Sequence, residues 1–238
     1  MDLSEVSIAT VTLVRRDDEE RLLRASLDRL SRAGMKVAVS DGGSRPEFVD
    51  FLRTLESFTV VPPAGSGLVG QVRASVGAAA AWRTAFILYT EPDKRTFFDG
   101  RLAGFVASAP ADPSIGVCLA GRDERSFSTF PAFQQRTEGA FNAICSDLLG
   151  ERGDYCYGPF LMNQVLVAEL GGVNGDLGWG WRPFMFARAR RRGLGVLHHA
   201  GDFPCPADQT REDESDRIHR LRQLRQNVEG LITSCTGC

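Results

Sequence analysis

Glu91 and Asp93 stand on either side of Pro92, directly after the apolar run Phe86-Ile87-Leu88-Tyr89. Two carboxylates one residue apart on a turn can share one hard divalent cation. Mg²⁺ and Mn²⁺ prefer oxygen ligands and usually keep one or two protein carboxylates plus substrate phosphates. A cation held in this way can neutralise a diphosphate leaving group. A solvated acidic turn can contain the same three residues, so their place in the chain has to decide. A second group, Asp41-Gly42-Gly43-Ser44, closes another apolar run. Its glycines permit a tight turn with positive φ, and Asp41 is placed to accept hydrogen bonds from a base or ribose. An ordinary turn with an Asx cap is the alternative. Arg73 follows the glycine-rich residues 65–70, where a guanidinium can meet a phosphate or a base.

Hydrophobic periodicity supplies the elements that position these groups. Residues 6–14 read as a buried strand, and residues 17–33 as a helix with Leu22, Leu23, Leu27 and Leu30 at helical spacing. A second strand at 35–40 stops at Asp41, and Pro46 opens a helix carrying Phe48, Leu52 and Leu55. A third strand spans 58–61. The glycine turn then leads into an Ala-rich helix ending near Trp82, and a fourth strand covers 85–89. This alternation predicts a mostly parallel sheet with helices on both faces. Ligands of such sheets bind beyond the carboxyl ends of the strands. Arg15-Arg16-Asp17, the Asp41 turn and the Glu91 turn all fall at such ends, which implies one convergent site.

The second half has another rhythm. A strand at 115–119 precedes the polar residues Arg122, Asp123, Glu124 and Arg125, and a helix follows at 134–149. Next come a short strand or helix start at 161–167, a glycine-rich segment at 171–180 and a basic helix at 183–192. A last strand at 195–199 and a polar helix at 211–232 complete the chain. No low-complexity linker or internal repeat interrupts it, so residues 1–238 read as one domain.

Composition limits the partners. The chain has 238 residues, 43% of them hydrophobic and 24% charged, enough for a sizeable core. Its formal net charge of −2 gives no general attraction to nucleic acid or anionic membranes. The arginines from Arg188 to Arg192 suit a helix C-terminus and a solvated face better than a nucleic-acid surface. No apolar run reaches membrane-spanning length, and the acidic start lacks the features of a signal peptide, so a cytoplasmic location is expected. Six scattered cysteines then read as reduced thiols. Cys235 and Cys238 form a C-x-x-C without the two further ligands that zinc requires. Nothing in the sequence sets an oligomeric state.

Taken in order, these motifs resemble the GT-A glycosyltransferases, especially the family-2-like group. An Asp-Gly-Ser turn after the second strand and a D-x-D-type motif after the fourth are common there. The segment Leu170-Gly171-Gly172-Val173-Asn174-Gly175-Asp176-Leu177-Gly178-Trp179-Gly180-Trp181 is similar to that group's acceptor-side loop. The resemblance spans about residues 7–200 and implies a GT-A, Rossmann-like α/β fold with a C-terminal helix. It implies a nucleotide-binding half over about 1–100, an acceptor-side half over about 101–205 and a helix over about 207–234. It also implies a nucleoside-diphosphate sugar as donor, a small molecule or glycan as acceptor, and Mg²⁺ or Mn²⁺ as cofactor.

Carried over by position, Asp41, Gly42, Arg15 and Arg73 line the nucleotide, Asp93 holds the metal, and Glu91 lies near the ribose or metal. Trp179 to Trp181 shape the sugar and acceptor pocket, and one of His198 and His199 completes the metal site, as in retaining members. Inverting members place a carboxylate base just after the glycine-rich loop, where this chain has Arg182-Pro183. Asp176 or Asp154 is the substitute base if one is used; otherwise transfer retains the anomeric configuration. A nucleotidyltransferase that makes nucleotide sugars is the alternative enzyme, and an inactive nucleotide- or sugar-binding module the alternative outside catalysis.

Overall fold

The apolar runs become strands in the computed structural model, which describes residues 1–173 and 175–235. The strands are β1 (Val6–Thr12), β2 (Val37–Asp41), β3 (Phe58–Val61), β4 (Phe86–Tyr89), β5 (Ile115–Arg122), β6 (Phe160–Asn163) and β7 (Gly195–Gly201). The helices are α1 (Asp17–Ser31), α2 (Pro46–Thr54), α3 (Gly67–Ala80), α4 (Arg95–Phe98), α5 (Arg101–Ser108), α6 (Glu124–Phe127), α7 (Ala132–Leu149), α8 (Trp181–Arg191) and α9 (Glu214–Cys235). They divide into two compact units. The first is Met1–Pro113 with Pro159–Ala168, and the second is Ser114–Gly158 with Glu169–Cys238.

In the first unit five strands lie in the order β3-β2-β1-β4-β6. The first four are parallel, with Thr12 opposite Asp41 and Ala9 opposite Tyr89, while β6 runs antiparallel to β4. Every residue of β1 is buried, as a strand covered on both faces must be. Leu23, Leu27 and Leu30 bury the inner stripe of α1, and four acids occupy its first turn, where the helix dipole favours them. α2 opens at Pro46, the predicted residue. α3 begins inside the glycine run and packs Val69, Val72, Val76 and Ala79 inward.

The short helices α4 and α5 were not legible in the sequence. Residues 161–167, read as strand or helix start, supply the end of β6 and then a 3₁₀ segment, Gln164–Gly172.

In the second unit β5 pairs in parallel with β7, from Ile115 opposite Gly195 to Arg122 opposite Gly201. The segment read as a basic helix is apolar and buried in its first half, through Trp181, Phe184, Met185 and Phe186. Apart from the buried Arg182, its basic residues lie toward the C-terminal end. Cys118, Cys145, Cys156, Cys205 and Cys235 are free thiols, and the C-x-x-C lies partly outside the described residues because Cys238 does. Among the described residues no helix is long and apolar enough to cross a membrane.

Candidate active site

The carboxyl ends of β1, β2 and β4 in the first unit are tied by side chains. Asp41, only 9% exposed, accepts at Oδ1 from the amides of Gly43 (2.9 Å) and Ser44 (2.7 Å). At Oδ2 it accepts from the hydroxyls of Thr12 (2.8 Å) and Ser44 (2.6 Å). A carboxylate offers about four acceptor positions, and these bonds fill them. Asp41 therefore builds the turn and has no acceptor to spare for a base or ribose, which corrects the expectation of a direct contact.

Its two glycines serve different ends. Gly43 has φ 111°, where a side chain is strained. Gly42 does not; a β-carbon there would lie 2.9 Å from the Gln71 amide. Gln71, buried on α3, donates through Nε2 to the carbonyls of Thr12 (2.8 Å) and Ser40 (3.0 Å), joining the ends of β1 and β2. Sequence reasoning missed Gln71. The available signal was a lone glutamine early in a helix of small and apolar residues.

The Glu91 turn is anchored on the other side of β1. The Thr90 amide donates to Ala9 O (3.2 Å), and the Thr10 hydroxyl donates to Thr90 O (2.8 Å). Past Pro92, the Asp93 carbonyl accepts from the Arg95 amide (2.8 Å) at the start of α4. Glu91 is buried and Asp93 half-buried. Both carboxylates are hard oxygen donors, the type that Mg²⁺ and Mn²⁺ prefer. Among the described residues no three His, Cys, Asp or Glu side chains gather into a fuller metal cage. Arg15 is exposed just past β1, and Arg73 is half-buried on the second turn of α3.

In the second unit a buried ion pair dominates. Asp154 accepts from Arg122 Nε (2.6 Å) and Nη2 (3.0 Å), and Glu138 accepts from Arg122 Nη2 (2.6 Å). The guanidinium also lies 4.5 Å from the ring centre of Phe130 and 4.7 Å from that of Phe127. Burial alone would raise the Asp154 pKa, but the Arg122 charge, its hydrogen bonds and the Cys156 amide hold it below the usual carboxylate value. A carboxylate so engaged is a poor proton acceptor, which removes Asp154 as a substitute base. Neither Arg122 nor Glu138 was singled out from sequence.

His198 and His199 are neighbours on β7, so their side chains take opposite faces. The His198 ring packs edge-on to Tyr155, 4.4 Å between centres, and lies over Gly153, where a β-carbon would collide with it. Both its ring nitrogens are buried without a hydrogen-bond partner. Burial lowers its pKa to about 4, against a smaller opposing effect of Asp154. In this arrangement the His198 ring is packed against Tyr155 and Gly153 with both nitrogens shut off, which corrects the expectation that it could hold a metal.

That burial has a pH consequence. The fold holds a neutral imidazole, so the unfolded chain binds the extra proton between pH 6.5 and about 4. Stability should fall as pH drops through that window, by at most about 3 kcal/mol from this residue. Urea midpoints of wild type and His198→Gln at pH 7 and pH 4.5 check this. The substitution should flatten the pH dependence, and parallel curves would contradict it.

Trp181 is another correction. It is fully buried at the start of α8 and faces no sugar, because an aromatic pattern does not separate core from pocket. Trp179 is half-buried, with the Arg182 guanidinium 5.3 Å from its ring centre. Asp176 lies in the 3₁₀ segment Gly175–Gly180, and its side chain is outside the described residues.

Solved structures share this architecture. Glucosyl-3-phosphoglycerate synthase from Mycobacterium tuberculosis bound to UDP matches over 97% of this chain and 79% of its own, at 16% identity and a TM-score of 0.66. The same enzyme with Mn²⁺, UDP and glucosyl-3-phosphoglycerate matches with the same coverage and identity at 0.63. With Mn²⁺, UDP-glucose and glycerol 3-phosphate it matches over 96% and 80%, at 15% identity and 0.62. No protein-family model and no curated protein matches the chain. The fold is thus GT-A, a mostly parallel Rossmann-like sheet flanked by helices with a C-terminal helix.

Proposed function

We propose that this protein is a metal-dependent glycosyltransferase that moves a hexose from a nucleoside-diphosphate sugar to a small acceptor. The observation that carries the reading is the joined set of strand ends in the first unit. The Asp41 turn and the Glu91-Pro92-Asp93 turn flank the end of β1, each tied to it by threonine hydroxyls. Likeness to a synthase solved with UDP-glucose and Mn²⁺ makes UDP-glucose the first donor to test, with phosphoglyceric acid and glycerol 3-phosphate as acceptors. A cytoplasmic location follows from the same reading and is supported by the free thiols.

In this mechanism Asp93 and Glu91 would hold the cation. Once bound, the cation supplies Lewis-acid stabilisation of the departing diphosphate. Asp41 and Gln71 keep the nucleotide-side turn rigid, and Arg73 and Arg15 add positive charge for the diphosphate. Asp176 remains the carboxylate of the acceptor-side turn.

Transfer should retain the anomeric configuration. Inversion needs a general base on the face opposite the leaving group. The usual place for one holds Arg182-Pro183, and Asp154 is committed to Arg122. In the retaining route the acceptor oxygen bonds to the anomeric carbon on the face from which the diphosphate leaves. The carbon–oxygen bond to phosphate breaks, and the acceptor proton passes to the departing phosphate oxygen. Proton NMR of the first-formed product from UDP-α-glucose tests both claims. An α-linked product supports the reading, a β-linked one returns the role of base to Asp176, and the absence of product with every nucleotide sugar tried contradicts transfer.

A further inference from the structure

The 3₁₀ segment Gly175–Gly180 carries Asp176 and Trp179 and runs directly into α8 at Trp181. Leu177 is its buried apolar anchor, and α9 fixes the glycine-rich residues that follow. The Trp179 amide donates to Gln226 Oε1 at 3.2 Å. Gly178 adopts φ 52°, ψ −125°, a conformation open almost solely to glycine, and a β-carbon there would strike the Gln226 side chain. Two residues on, a β-carbon at Gly180 would collide with the Gln226 carbonyl. From the opposite direction, a β-carbon at Gly230 would collide with the Gly180 carbonyl.

The two backbones therefore touch, with glycine on both sides of the crossing. A glycine within a helix destabilises it relative to alanine, and nothing in the helical conformation of α9 calls for one at 230. The crossing gives it a reason. Gln226 lies one helical turn earlier, and its side chain reaches across to the turn.

We propose that Gln226, seated by the Gly180–Gly230 crossing, is a positioning residue that holds the acceptor-side turn in its working shape. This rests on the transferase reading, in which that turn faces the acceptor. Gln226 need not touch substrate. It acts through the Trp179 amide and by packing its side chain against Gly178, where no β-carbon would fit.

The test combines amide hydrogen exchange with kinetics on the full chain. In Gln226→Ala the Trp179 amide should exchange about tenfold faster than in wild type, the loss expected for one local hydrogen bond. Amides of β2, Val37–Asp41, should keep their protection, which separates a local effect from general unfolding. Gln226→Glu keeps an acceptor oxygen at the same reach and should restore slow exchange. With UDP-glucose and phosphoglyceric acid as probes, Gln226→Ala should raise the acceptor KM about tenfold and leave the donor KM within about twofold. Unchanged Trp179 exchange in Gln226→Ala, or equally fast exchange in Gln226→Glu, would overturn the inference. If wild type shows no turnover with any nucleotide sugar, the transferase reading fails, and the exchange result still decides whether Gln226 holds the turn.

Discussion

Replacing Asp93 with Ala is expected to lower hexose transfer by roughly 10²-fold or more, with the fold intact. Stabilisation of a leaving diphosphate by a bound cation is worth several kcal/mol, and about 3 kcal/mol corresponds to roughly 10²-fold in rate. The side chain is half-buried at the mouth of a turn whose backbone bonds run through Thr90 and the Asp93 carbonyl, so Ala can replace it without unmaking them. Steady-state rates of UDP release with and without EDTA check this. Near-normal turnover in Asp93→Ala, or wild-type activity that survives EDTA, would sink the metal role.

Arg122→Met should destabilise the protein by about 3–5 kcal/mol, the cost of removing one member of a buried charge network. The Arg122 side chain is 1% exposed and that of Asp154 6%, so the Asp154 carboxylate cannot recover its hydration once the guanidinium is gone. The double variant Arg122→Met with Asp154→Leu should regain much of the loss, because a buried pair replaced by apolar groups of similar volume is often neutral. Urea unfolding of the two variants reads this directly. A loss below about 1 kcal/mol for the single variant would show that water reaches the pair.

The fold was largely written in local pattern, whereas the contacts that give the site its rigidity were not. β1 announced itself as an unbroken Val/Ile/Thr run, and α1 by leucines at helical spacing, because both signals come from near neighbours. Gln71 acts on carbonyls 31 and 59 residues away, and Arg122 on a carboxylate 32 residues away, where no periodicity reaches. Asp41 was found by its turn, but its saturation by Thr12 and Ser44 depends on β1 and β2 lying side by side. Trp181 was misread for a related reason. Its sequence neighbours are glycines and Trp179, as in a sugar-facing loop, and only the packing of α8 shows the ring inside. His198 and His199 could be separated by strand parity, but which of them is closed off required Tyr155 and Gly153.

The most direct measurement is the melting temperature of wild type with ADP, GDP and UDP, each in Mn²⁺ and in EDTA. A ligand that binds only the folded chain at about 100 times its Kd adds about 2.7 kcal/mol, or roughly 5–10 °C for a chain of this size. The strand-end site predicts a rise of that order with at least one diphosphate in Mn²⁺, most of it lost in EDTA. If no nucleoside diphosphate shifts the transition in Mn²⁺, the turns at Asp41 and Asp93 are structural ends of strands and the transferase reading is contradicted.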